Sequence, residues 1–261
     1  MNEPLIRLGA FACVFALMAL WEIAAPRRKR TQSRALRWTN NLGVAALNTL
    51  LIRLVFPTAA VGVALLAAER GWGLFNAIES PQWLAIGVSV LVLDLAIYGQ
   101  HVLFHAVPAL WRLHRMHHAD LDIDVTTGVR FHPIEILISM LIKCAVVAAL
   151  GAPALAMLIF EVLLNATSMF NHGNVRMPGW LDRSVRLVVV TPDMHRVHHS
   201  ILMRETNSNY GFNLSVWDRV FGTYRAQPSA GHEGMTIGIE LFREAKELRL
   251  DKLLLQPWRT R

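Results

Sequence analysis

Long apolar stretches alternate with short polar ones over the first two thirds of this chain, and the remainder is polar. A helix needs about 20 apolar residues to cross the hydrocarbon core of a bilayer. Leu5 to Ala25 meets that length, a second span is expected within Leu42 to Ala68, and a third from Trp83 to about Gln100. Arg53 sits awkwardly in the second. Either its long stem carries the charge to the interface, or the span begins later than its apolar pattern suggests. Ile134 to Leu164 is too long for one ordinary span and is interrupted by Gly151, Ala152 and Pro153. Proline removes a helical hydrogen bond and glycine loosens the backbone, so a turn belongs there. The resulting hairpin returns the chain to the side it left. From Asn174 onward no further span is expected. The pattern therefore predicts an all-α fold: an integral membrane helical bundle of three spans plus a helical hairpin, with a cytosolic histidine-rich helical cap.

Composition strengthens that picture. Of 261 residues, 54% are hydrophobic and 17% charged, where a soluble domain carries about a quarter charged. The first apolar run lacks a cleavage signature and its basic cluster follows it, which reads as an uncleaved spanning helix. The formal net charge is +7, but the basic residues form no groove-reading motif with interleaved aromatics, which argues against nucleic acid. Arg27, Arg28, Lys29, Arg30, Arg34 and Arg37 instead follow the first span directly, as the positive-inside rule expects of a cytoplasmic loop. That places the N-terminus outside, and the histidines and the C-terminus in the cytoplasm. Cys13 and Cys144 lie inside apolar stretches and read as small buried hydrophobes.

The candidate chemistry lies in the 11 histidines. His101 and His105 are four apart, so a helix puts both imidazoles on one face. His114-Arg115-Met116-His117-His118 and His195-Arg196-Val197-His198-His199 repeat one arrangement. In each, the first and last histidines share a face, and the middle one is offset by about 100° and can turn toward a second ion. A lone histidine in an apolar helix is more often a hydrogen-bonded core residue than a ligand. The same short pattern twice, with a third pair, points to metal. His172, in Phe170-Asn171-His172-Gly173, is taken as a further ligand. His132, in Phe131-His132-Pro133-Ile134-Glu135, is either a ligand or a brace behind one. His232 stands alone in a polar tail and reads as solvated. Asp94, Tyr98, His101 and His105 make one helical stripe, and Glu161, Asn165, Ser168 and His172 another. Asp94, Glu161 and Asn165 could orient ligating imidazoles by accepting their second N–H, or could simply satisfy polar groups between helices.

Together, these motifs resemble the histidine boxes of the fatty acid hydroxylase and sterol desaturase superfamily. Trp111, Phe131-His132-Pro133-x-Glu135, Asn171-His172, Asn209-Tyr210-Gly211, Trp217-Asp218-Arg219 and Phe221-Gly222-Thr223 agree with it, from about residue 83 to about residue 225. The resemblance implies two irons held by His101, His105, His114, His117, His118, His172, His195, His198 and His199, less firmly by His132. It also implies use of dioxygen and two electrons to hydroxylate or desaturate a lipid such as an acyl chain, sterol, isoprenoid or ether lipid. Where some relatives have another histidine this chain has Ser168, so the resemblance leaves the ligand number open. Asp218 is a candidate support behind the ligands, although its motif reads first as turn and packing.

Residues 1–82 are then expected to be spanning helices with a basic loop, 83–225 the catalytic domain and 226–261 a cytosolic tail. With no glycine-rich dinucleotide fingerprint and no thiolate cluster, electrons are expected from a separate donor protein or reductase. A bacterial inner membrane suits the compact chain. A membrane zinc hydrolase is disfavoured by the lack of His-Glu-x-x-His. A transporter passing metal through intramembrane histidines would spread its ligands along a pore rather than at one membrane edge.

Overall fold

The computed structural model describes residues 3–260, and among them no strand forms, only isolated bridges such as Pro26 to Val175. The elements that position the site are α1 (Glu3–Ala24), α2 (Arg34–Val55), α3 (Ala59–Arg70), the short α4 (Leu74–Ala77), α5 (Gln82–Ala106), α6 (Pro108–His118), α7 (Pro133–Leu150), α8 (Ala154–Asn171), α9 (Gly179–Val185) and α10 (Pro192–His198). Five segments are long and apolar enough to cross a membrane: α1, the stretch Arg34–Ala77, α5, α7 and α8. The protein is a multi-pass helical membrane bundle.

The second apolar region departs from its expected bounds. Its helix starts at Arg34, where the Ser33 hydroxyl accepts the Leu36 amide (3.3 Å). It then breaks around Pro57, which cannot extend the ladder of backbone bonds. Arg53 thereby falls on the exposed last turn of α2, where a cation suits the carbonyl end of a helix. The hairpin turns at Gly151, in the left-handed region at φ +62. Gly73 approaches so closely there that a Cβ on it would lie 2.0 Å from the Gly151 nitrogen.

Between α3, α5, α7 and α8 lies an apolar core containing Val61, Leu93, Ile97, Met140, Met157 and Phe160. Lipid tails are as apolar as these side chains, so close packing rather than escape from water must hold spanning helices together. Accordingly α3 buries Ala60, Ala64 and Ala67, four and three residues apart on one face. Of the five candidate spans, α1 is the least buried. It lies along α8 and is tied to it where Glu161 pairs with Arg7 (2.5 Å) and, across the hairpin, with Lys143 (3.7 Å).

Residues 107–132 and 173–260 fold over one end of the bundle. The turn after α6 is stitched to α2 by a fully buried ionic knot. Arg37 forks onto Asp120 (2.8 Å to each oxygen) and also holds Asp124, while Arg130 stands 3.4 Å from Asp120. The last turns of the chain lie back on α2 and α6: Leu253 packs with Val44 and Met116, and the Leu250 amide donates to Asn40 (2.7 Å). His232 is not solvated as its isolated place in the sequence suggests. Arg28 binds the carbonyls of His232 and Met235, folding that segment inward and leaving His232 buried 3.5 Å from Asp193.

Candidate metal centre

Four elements converge at the capped end of the bundle. α5 runs out of the apolar zone carrying His101 and His105. α6 starts two residues later and supplies His114, His117 and His118. α8 ends at His172, and α10, begun by Pro192 and capped by the Thr191 hydroxyl on the Met194 amide (3.3 Å), leads into His195, His198 and His199. Nine side chains from distant parts of the chain thus meet in two adjoining groups. The first contains His101, His105, His114, His118 and His198, the second His117, His172, His195 and His199. Each box splits by helical geometry: the residues four apart stay together, and the offset middle one crosses to the other group. The groups abut, with the His118 and His199 rings stacked at 4.6 Å.

The hydrogen bonds reveal which nitrogens are free. His101 Nδ1 donates to the Tyr210 carbonyl (2.7 Å), His198 Nδ1 to the Ser208 carbonyl (2.7 Å), His172 Nδ1 to the Ser168 carbonyl (2.7 Å) and His117 Nδ1 to the Arg130 carbonyl (3.2 Å). A carbonyl only accepts, so each of these Nδ1 atoms carries the proton. In a neutral ring Nε2 is then a bare lone pair. Yet the Nε2 atoms face one another, at 3.0 Å for His198 and His101 and 3.1 Å for His172 and His117. Acceptors aimed at each other this closely repel unless a cation lies between them. His105 and His118 add buried Nε2 atoms with no hydrogen-bond partner, and His199 has none at either nitrogen. These residues fit a metal pair.

Burial acts in the same direction. It pushes the imidazoles of His117, His118, His195, His198 and His199 well below their ordinary range, and the neighbouring imidazoles push them further. Neutral imidazole is the form that ligates.

Behind the ligands, the supports differ from the expected set. Glu135, in the first turn of α7, accepts the His114 Nδ1 proton at 2.7 Å, and Asn207 stands 3.2 Å from His105 Nδ1. The sequence signal for Glu135 is its place in Phe131-His132-Pro133-Ile134-Glu135, and Asn207 carries none. The structure does not bring His132 to either group: its Nδ1 caps the start of α7 on the Ile134 amide (3.2 Å), and its Nε2 faces the Leu254 carbonyl (3.3 Å). Asp94 reaches no histidine; it accepts the Trp217 indole (2.8 Å) and the Asn213 and Leu214 amides. Asp218 accepts the Tyr210 and Gly211 amides (2.7 and 2.9 Å), and so fixes the loop whose carbonyl orients His101. Glu161 is spent on Arg7 and Lys143, and Asn165 bonds back to the Glu161 carbonyl. Ser168 donates its hydroxyl to the Gly128 carbonyl (2.7 Å) and is not a ligand.

Residues 86–223 match the fatty acid hydroxylase family. The chain belongs to that family. It is 30% identical over 230 residues to an ornithine lipid hydroxylase of Rhizobium tropici, covering 85% of this chain and 68% of that one. It is 25% identical to the alkylglycerol monooxygenase of Homo sapiens (68% of this chain, 38% of the relative) and 25% identical to a fatty acid hydroxylase of a Lecanicillium species (73% and 53%). The chain thus spans only part of the length of each relative. No solved structure matches it. The family and these relatives make the protein an oxidoreductase that acts on lipids.

Proposed function

We propose that the two histidine groups hold two iron ions, and that the protein uses dioxygen and electrons from a separate donor protein to hydroxylate a membrane lipid carrying long apolar chains. The observation that carries this reading is the convergence of imidazoles, four of them with Nδ1 given to a carbonyl and Nε2 left free, in two adjoining and largely buried groups. Iron is favoured over zinc by ligand number: a group of five imidazoles exceeds the tetrahedral complement usual for zinc. When bound, the irons would activate dioxygen so that a C–H bond becomes C–OH, the second oxygen leaving as water with two electrons and two protons consumed.

The chain's own part is orientation and exclusion. Backbone carbonyls and Glu135 hold the imidazoles as one tautomer, burial keeps them neutral and dry, and the apolar bundle below offers the chain of a lipid a non-aqueous approach. The relatives' names favour hydroxylation over desaturation. Ligands gathered at one end of the bundle, rather than along a path through it, weigh against a transporter. The basic segment 27–30 is bonded to the same end, with the Arg27 amide on the Asn174 carbonyl (3.0 Å), which supports a cytoplasmic site. A bacterial relative supports an inner-membrane location.

The test is expression of the chain in a bacterium lacking this activity, with mass spectrometry of extracted lipids and Mössbauer spectroscopy of iron-57-enriched protein. Lipids heavier by one oxygen atom, formed only with dioxygen, together with two coupled irons per chain, are expected. Stoichiometric zinc in iron-replete cells and an unchanged lipid profile would refute the reading.

A further inference from the structure

Two aromatic rings lie against the histidine groups and also belong to the apolar core of the bundle. The Phe212 ring lies 5.5 Å from His101 in the first group, and 6.3 and 6.1 Å from His172 and His195 in the second. Phe131 stacks on His117 at 4.4 Å, with planes 12° apart, and stands 6.2 Å from His114. Each ring therefore borders both groups, and the two rings are 6.3 Å apart. Their other sides join the apolar core between α5, α7 and α8, with Leu93, Ile97, Met140 and Phe160.

The backbone beneath each ring is held by a buried amide. Asn171 of α8 donates to the Phe212 carbonyl at 2.9 Å, and Asn48 of α2 to the Phe131 carbonyl at 2.8 Å. Asp94 accepts the next two amides after Phe212, those of Asn213 and Leu214, at 3.3 and 3.2 Å. Side chains on a backbone so constrained keep a fixed depth relative to the imidazoles.

A reacting carbon must come within about 3–3.5 Å of its partner atom. The methylenes of a saturated chain are chemically alike and carry no polar handle, so the choice among neighbouring ones falls to how the chain is held and to the shape of the wall beside the site. Discrimination by shape between positions one methylene apart is worth about 10–200-fold. The rings are the apolar side chains that touch both the histidine groups and the core between the spanning helices. We propose that Phe212, with Phe131 beside it, sets which carbon of the lipid chain is hydroxylated. This rests on the hydroxylase reading above.

The experiment expresses the full chain as wild type, Phe212→Ala, Phe212→Leu and Phe131→Leu. Tandem mass spectrometry locates the new hydroxyl in extracted lipids, and iron per chain is measured in parallel. Phe212→Ala is expected to change the ratio of positional isomers at least tenfold at unaltered iron content, with a smaller shift in Phe131→Leu. If Phe212→Ala loses iron, Phe212→Leu, which retains more of the side-chain volume, carries the test. A slower enzyme with the wild-type isomer ratio would reduce Phe212 to a packing residue and overturn the proposal. Wild-type protein that makes no hydroxylated lipid would instead overturn the hydroxylase reading, and this proposal with it.

Discussion

The two histidine groups are chemically alike and mechanically unlike. In the first, His114 is braced by a carboxylate, His105 faces a side-chain amide, and His101 and His198 are held by backbone carbonyls. In the second, only His117 and His172 are braced, both by backbone carbonyls, while His195 Nδ1 and both nitrogens of His199 lack hydrogen-bond partners. A carboxylate behind an imidazole fixes its ring, so the first group would hold an ion the more firmly. The second, with fewer imidazoles and less support, would tolerate more change at an ion bound there. Such a pairing would suit chemistry in which an outside molecule must reach metal.

The comparison can be broken most decisively by removing a ligand from each side. His199→Ala and His198→Ala are both expected to abolish turnover, but His199→Ala should drop to one iron per chain, whereas His198→Ala, with four imidazoles left around the first ion, should retain more than one. Metal analysis of detergent-purified protein decides this, and equal losses would erase the distinction. Acid should have the next largest effect. Burial holds five imidazoles of the cap, those of His117, His118, His195, His198 and His199, below their unfolded value near 6.5. The unfolded chain then binds more protons, so this part of the stability is present above that pH and is lost as pH falls below it, by up to about 1.4 kcal/mol per histidine per pH unit. The Tm of metal-free protein should be flat above about pH 7 and fall steeply below pH 6; a flat profile to pH 5 would contradict the burial argument.

Glu135→Gln should sharpen the comparison. It keeps the shape of the brace and removes its charge, and a loss of about 10–100-fold in affinity for one ion only is expected, read as one early and one late phase in chelator titrations. Both phases moving together would show the groups to be a single unit. Asn207→Ala should act in the same sense but less than tenfold, since His105 is half-buried and its contact is the longer, at 3.2 Å.

What was legible in the sequence was whatever repeats locally. Spans announce themselves as apolar runs and the hairpin as Gly151 to Pro153. The nine clustered histidines sit in short motifs whose spacing already states which imidazoles share a face. The supports were not legible, because they join residues far apart. Glu135 meets His114 across a turn, and Asn207 meets His105 from another part of the cap. The stripes ending in His105 and His172 left two roles open for their acidic residues, and the contacts made agree with the second. Asp94 and Glu161 do lie in register with the ligands, but a helix face is long. One serves the cap loop around Trp217, and the other answers Arg7 on a helix some 150 residues earlier in the chain. His132 was drawn toward the site by its motif, yet that motif's contribution to the metal is Glu135.

Arg115 sits inside the second histidine box and donates to the carbonyls of Gln256 (2.5 Å) and Arg259. The segment bearing His114, His117 and His118 is thus clasped from behind by residues made after all nine clustered histidines. During translation the histidines emerge without that clasp. The site is therefore expected to finish assembling only once residues 256–259 have been added, with metal delivered to a fold that already contains them.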